Sequence, residues 1–238
     1  MLRLRPTDGT APHRRNARYH IDALMTGGAP IHAKLAGEMT LLYADLRAKA
    51  RASEDAADES LGAAARCDAA EIVVENAVRK LDIEARRADQ NEPSLNAQKS
   101  IFPRGFGPII APEGALQLQT LPGLYVRVAP FLDHPEIAGA VDALKAAEKS
   151  FEDRLKDEET ARATWSTCFA MELEARRKIR EQLDSAYGLL RDFYKGRTMQ
   201  AEDFFHREKK LRKPAKSDVI DPTQPAPVAP AAPTGGTP

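Results

Sequence analysis

The chain holds 238 residues with 35 basic and 35 acidic side chains, a formal net charge of zero, and two cysteines. Alanine supplies 40 of its apolar residues, so larger apolar side chains are only about a quarter of the sequence, lean for a compact globule. It contains no apolar run long enough for a membrane span, too few thiols for a disulfide scaffold, and no basic excess for coating nucleic acid.

Proline placement outlines the elements. Three of the 17 prolines lie in residues 1–30, seven in 93–135 and seven in 214–238, with none in 31–92 or 136–213. Proline lacks an N–H and clashes with the preceding helical turn, so the two gaps predict two long helices.

Residues 1–29 carry five arginines against Asp8 and Asp22 and are expected to form a flexible basic arm. Tyr19, Ile21, Leu24 and Met25 offer at most one docking turn. The opening Met1–Pro6 never develops the apolar core of a secretory signal. With Cys67 and Cys168 as the only thiols, a cytoplasmic location is expected.

The first block opens at Pro30, where a missing N–H costs nothing. Leu35, Met39, Leu42, Leu46, Ala50, Ser53, Ala57, Leu61, Ala64, Cys67, Ala70, Val74, Val78, Leu81 and Ala85 follow one another at spacings of three or four. That is the period of a helical stripe. The stripe thins to alanine and serine between positions 50 and 70, and Asn91-Glu92-Pro93 ends it. The second block opens at Asp133-His134-Pro135-Glu136, where Asp133 and Glu136 have the spacing of a capping box. Its stripe runs from Ile137 through Phe151, Leu155, Trp165, Phe169 and Leu183 to Tyr194, before Lys195-Gly196 stops it.

Two amphipathic helices of equal length bury both stripes most simply by pairing antiparallel. The fold expected is therefore all-α: over 30–195, a long, coiled-coil-like antiparallel helical hairpin. Breaks near 50–60 and 157–162 would give the alternative, a four-helix bundle. No proline occurs there and Gly62 is the only glycine, which favours long helices. The hairpin register sets the small run Ala56–Ala65 opposite Trp165 and Phe169, an expected large-to-small packing. It also leaves two readings for Cys67 and Cys168: a thiol pair, or two small buried residues.

The connector head, 91–134, is rich in proline and glycine, which forbids long elements. Leu116, Leu118, Leu124, Val126 and Val128 alternate as strands would, yet Leu121, Leu124, Tyr125 and Val128 also fit one helical face, and short helices are expected. A short helix near Thr198 in 196–213 presents Met199, Phe204 and Phe205 on one apolar side and runs into Arg207–Lys213. Residues 214–238, almost all Pro, Ala, Thr and Gly, are expected to form a disordered tail.

No catalytic grammar is present. Asp203-Phe-Phe-His206 is half of a di-iron pattern without its other half, and reads better as a solvated polar face. Thr26–Lys34 lacks the phosphate-loop frame, Phe102–Pro108 fails as a dinucleotide fingerprint, and Glu152–Glu159 interleaves acids with Lys and Arg as an ion-paired face does. The zero net charge is a cancellation between basic ends and an acidic body.

Ile101-Phe-Pro-Arg-Gly105, its Gly/Leu/Gln connector, His134-Pro135, the long Ala/Glu/Arg helix and Phe204-Phe205 together resemble a set of uncharacterised bacterial helical proteins over roughly residues 100–206. The resemblance implies an elongated helical fold and brings no activity, cofactor or site.

The expected function is that of a non-enzymatic interaction or structural protein that binds a protein partner or itself, with no cofactor, metal, membrane or nucleic-acid role. Candidate contacts are Phe102, Arg104, Phe106, Ile109 and Ile110 in the head and Phe204 and Phe205 near the end; the competing reading packs these side chains against the bundle. A cofactor- or metal-binding bundle enzyme and a chaperone-like clamp with a β-hairpin head are the alternatives.

Overall fold

A computed structural model describes residues 4–195 and 197–206. The expectations for Arg207–Lys213 and the Pro/Ala tail lie outside the described residues. Among the described residues eight helices follow one another: α1 (Thr10–Met25), α2 (Pro30–Asn91), α3 (Ala97–Ile101), α4 (Gly107–Ile110), α5 (Ala115–Leu118), α6 (Leu121–Val128), α7 (Pro135–Phe193) and α8 (Thr198–Glu202). A 3-10 turn, Ala129–Phe131, links α6 to the approach of α7.

The two long helices are unbroken, 62 and 59 residues, each about 90 Å at 1.5 Å per residue. They run antiparallel. His32 meets Tyr194, Glu38 meets Gln182, Ser53 meets Glu172 and Cys67 meets Glu158, so paired residue numbers sum to about 225 along the whole length. Both starts and the first stop fall where the prolines put them. The Asp133–Glu136 capping box does not form: His134 takes the N-cap position and makes no side-chain cap.

Two separate cores sit at opposite ends. At the head end, α3 to α6 fold over the last turns of α2 and the first turns of α7, enclosing Val78, Leu81, Ile101, Leu121, Leu124, Leu144 and Phe151. This region is helical throughout 115–118 and 121–128, so the β-hairpin head is ruled out. The helical face containing Leu121, Leu124 and Val128 is buried, while Val126 is exposed. Alternation lost to the 3.6 period because Pro122 suits a first turn and bars a central strand. Polar anchors hold the head. Asp89 accepts the first two amides of α3 from Ala97 (2.6 Å) and Gln98 (3.0 Å), Arg127 donates to the Ile101 carbonyl (2.8 Å), and Tyr125 donates to Glu148 (2.5 Å).

At the other end, α1 folds back on α2 and α7, making a three-helix layer around Leu24, Leu35, Met39, Leu46, Ile179 and Leu190. This corrects the expected flexible arm. The buried face of α1 is His13, Asn16, Ala17, His20, Ile21 and Leu24, a helical spacing in which half the residues are polar. An apolar count along 1–29 therefore sees one turn where the structure has four.

Candidate functional site

Between the two cores the molecule is only two helices thick. From residue 152 to residue 171, α7 fully buries no side chain, only half-burying Leu155, Glu158, Ala161 and Cys168, and α2 buries only Ser53, Ala63 and Cys67 between positions 51 and 67. This waist corrects the expected seam. Trp165 is 42% exposed, Phe169 40% and Leu61 73%, with Met171 and Leu173 also exposed. Small residues on α2 bring the axes close, and a two-helix seam covers each side chain from one side only. A tryptophan then rides on the edge of the seam instead of filling it. Its ring lies 6.4 Å from that of Phe169, and Arg176 sits over the Phe169 ring at 5.8 Å.

The waist is acidic at its rim. Glu54, Asp55, Asp58 and Glu59 on α2 and Asp157, Glu158 and Glu159 on α7 outnumber Arg51, Arg66, Arg154, Lys156 and Arg162, and Arg154 pairs with Asp157 (3.1 Å). Arg66 pairs with Glu59 and Arg162 with Glu158, both at 2.5 Å, in the ion-paired manner expected of this stretch. Open hollows follow one another along it. One, 640 Å³, lies between α5 and α7 against Leu118, Leu155 and Arg162; another, 480 Å³, is lined by Thr164, Cys168 and Met171.

A buried polar knot closes the waist toward α1. Glu172 accepts from Arg176, from Thr10 of α1 and from Ser53 of α2, so one carboxylate ties three helices. Burial alone would raise its pKa, but these hydrogen bonds and the Arg176 charge win, and the carboxyl is held below its usual range.

The cysteines do not meet. Cys67 faces Glu158, and Cys168 lies ten residues further along α7, about 15 Å by helical rise, far beyond disulfide reach. Burial, then hydrogen bonding and charge from Glu158, push the Cys67 thiol up to about 11.

Of the seven candidate contacts, Phe102 and Ile109 are buried in the head core and Phe205 in the other core. Phe106, Ile110 and Phe204 are half-buried against the same cores, and Arg104 alone is exposed. The packing reading of these side chains describes six of the seven. Met199 is exposed as expected. His206, assigned by sequence to a solvated face, is half-buried with its ring against Tyr19. Sequence reasoning passed over the waist, although its signal, a stripe thinned to alanine opposite a tryptophan, was in view. Among the described residues no three His, Cys, Asp or Glu side chains converge as a metal site would require, and no helix is long and apolar enough to cross a membrane.

The fold and its exposed waist define the class: an antiparallel two-helix rod thickened at both ends. Comparison with protein-family models, curated proteins and solved structures returns no match.

Proposed function

We propose that this chain is a non-enzymatic helical interaction protein that presents its waist to a protein partner. One observation carries the reading: across twenty consecutive residues of α7 no side chain is fully buried, and Trp165 and Phe169, one turn apart, stand exposed among them. Tryptophan is the residue type most enriched where binding energy concentrates. Contiguous exposed apolar surface with a polar rim marks an interaction site. The occupant that fits is an amphipathic helix whose apolar stripe covers Trp165 and Phe169 and whose basic flanks meet the acidic rim. The coiled-coil-like seam supports this, because a third helix would complete the layer that α1 and the head helices supply at the two ends. A reducing cytoplasm is the compartment proposed, in keeping with the free thiols of Cys67 and Cys168.

A photo-crosslinking residue at position 165, with a control at the still more exposed Leu41, tests this in cells producing the full chain. The expected result is one discrete adduct from position 165, its mass distinguishing a partner from a second copy, and none from position 41. Equal, diffuse labelling from both positions removes the waist as an interaction surface.

A further inference from the structure

The thickened end holds a second feature, unrelated to the waist. Four of the five histidines gather there, and three of them are fully or almost fully buried. His20 of α1 stacks on Phe205, with ring centroids 4.6 Å apart and planes 28° from parallel. Its Nδ1 lies 2.9 Å from the Phe204 carbonyl, so Nδ1 carries the proton and donates. Its Nε2 is buried without a partner, an acceptor with nothing to accept. His13, two turns earlier, donates from Nδ1 to the Gly9 carbonyl (2.8 Å), and its Nε2 accepts from the Arg180 guanidinium (3.1 Å).

Both rings are therefore held in one neutral tautomer. A second proton on His20 would place an N–H donor and a charge in a dry pocket with no acceptor. A second proton on His13 would remove the acceptor that Arg180 uses and set imidazolium against guanidinium. The titratable and charged neighbours are of both signs. Around His13 they are Asp8 ahead of α1 and Arg176 and Arg180 on α7. Around His20 and the Phe204–Phe205 pair they are Tyr19 on α1, His32 on α2, Tyr187 and Tyr194 on α7, and Glu202, Asp203 and His206 on the terminal segment itself.

We propose that residues 197–206 and α1 form an acid-released clasp, in which protonation of His20 and His13 undocks both from an intact α2–α7 hairpin and uncovers Phe204 and Phe205. The terminal segment is short: its backbone accepts from His20 and Tyr19 of α1, Phe205 lies between the His20 ring and Tyr187 of α7, and Phe204 packs on His32 and Tyr194, so the His20 contacts are the ones in this set that a second imidazole proton breaks. The hairpin has its own remote core at the head end, which contains neither histidine. Burial holds His20 below its ordinary range, partly offset by the Phe204 carbonyl. Burial and the charges of Arg180 and Arg176 do the same to His13 against the Gly9 carbonyl and Asp8. With folded values lowered, the docked state is fully stable above the ordinary imidazole pKa of about 6.5 and loses stability as pH falls below it.

Hydrogen exchange of the full chain at neutral and mildly acidic pH, corrected for intrinsic rates, reads the clasp directly. Acidification is expected to speed exchange in 10–25 and 197–206 by about tenfold or more, with 78–88 and 137–151 unchanged. The double variant His13→Gln, His20→Gln should lose that pH response. Because this variant could fail to dock α1, the imidazole resonances of the wild-type chain are titrated as well, and both are expected to protonate below pH 6.5. Protection of α1 that persists in acid, equal loss at both ends, or ordinary titration of both rings with α1 still docked would each overturn the clasp.

Discussion

At Gly27 the absence of a side chain is a packing requirement: a Cβ there would lie 2.1 Å from the His32 ring. That ring accepts the Ala29 amide (3.3 Å) at the start of α2 and donates to the Tyr194 hydroxyl (3.0 Å), joining the α1–α2 corner to the end of α7. Gly27→Ala therefore expels His32 and is expected to cost about 1–3 kcal/mol by overpacking, readable in urea unfolding. Glu172 is the costlier position. Glu172→Ala leaves Arg176 buried beside its lost partner and should cost about 3–5 kcal/mol. Because its folded carboxyl pKa is lowered, its stabilisation is complete above the unfolded carboxylate pKa and disappears as pH falls through the folded one. Thiol labelling gives a third check. With its thiol pushed up to about 11, Cys67 is about one part in a thousand thiolate at pH 8. Iodoacetamide should modify Cys168 first, and equal rates would contradict the burial of Cys67.

Among elements, the division into two cores has a mechanical consequence. Phe151 is fully buried in the head core and has no neighbour in the other. Phe151→Ala is expected to cost about 3–5 kcal/mol, concentrated at the head. Hydrogen exchange should show 78–88 and 97–128 losing protection before α1 does. Uniform loss would mean that the waist transmits packing better than a seam of alanine and serine should. The short head helices were anticipated as a class because proline and glycine bar long elements there. Their anchoring was not: Asp89 reaching Ala97 and Gln98, or Tyr125 reaching Glu148, depends on chain reversals that local periodicity does not encode. α1 escaped for a different reason. His13, Asn16 and His20 look like a solvated face until their partners, Gly9, Pro12, Arg180 and Phe204, are placed around them.

For the whole molecule, the unbroken hairpin predicts a rod. A compact chain of this length has a radius of gyration of about 18 Å, whereas a rod about 90 Å long approaches 27 Å. X-ray scattering near the smaller value would restore the four-helix bundle. By itself the sequence determined two proline-free helical blocks, their boundaries within a residue or two and the thinning at mid-length, and it favoured an unbroken antiparallel hairpin over a four-helix bundle. These follow from proline exclusion and a 3.6-residue period, which act locally. Only the tertiary structure decided what that thinning means. Whether a large side chain on a stripe is buried depends on how many neighbours surround it, and that number is set by elements distant in sequence. α1 and the head helices cover the two ends and leave Trp165 and Phe169 uncovered between them.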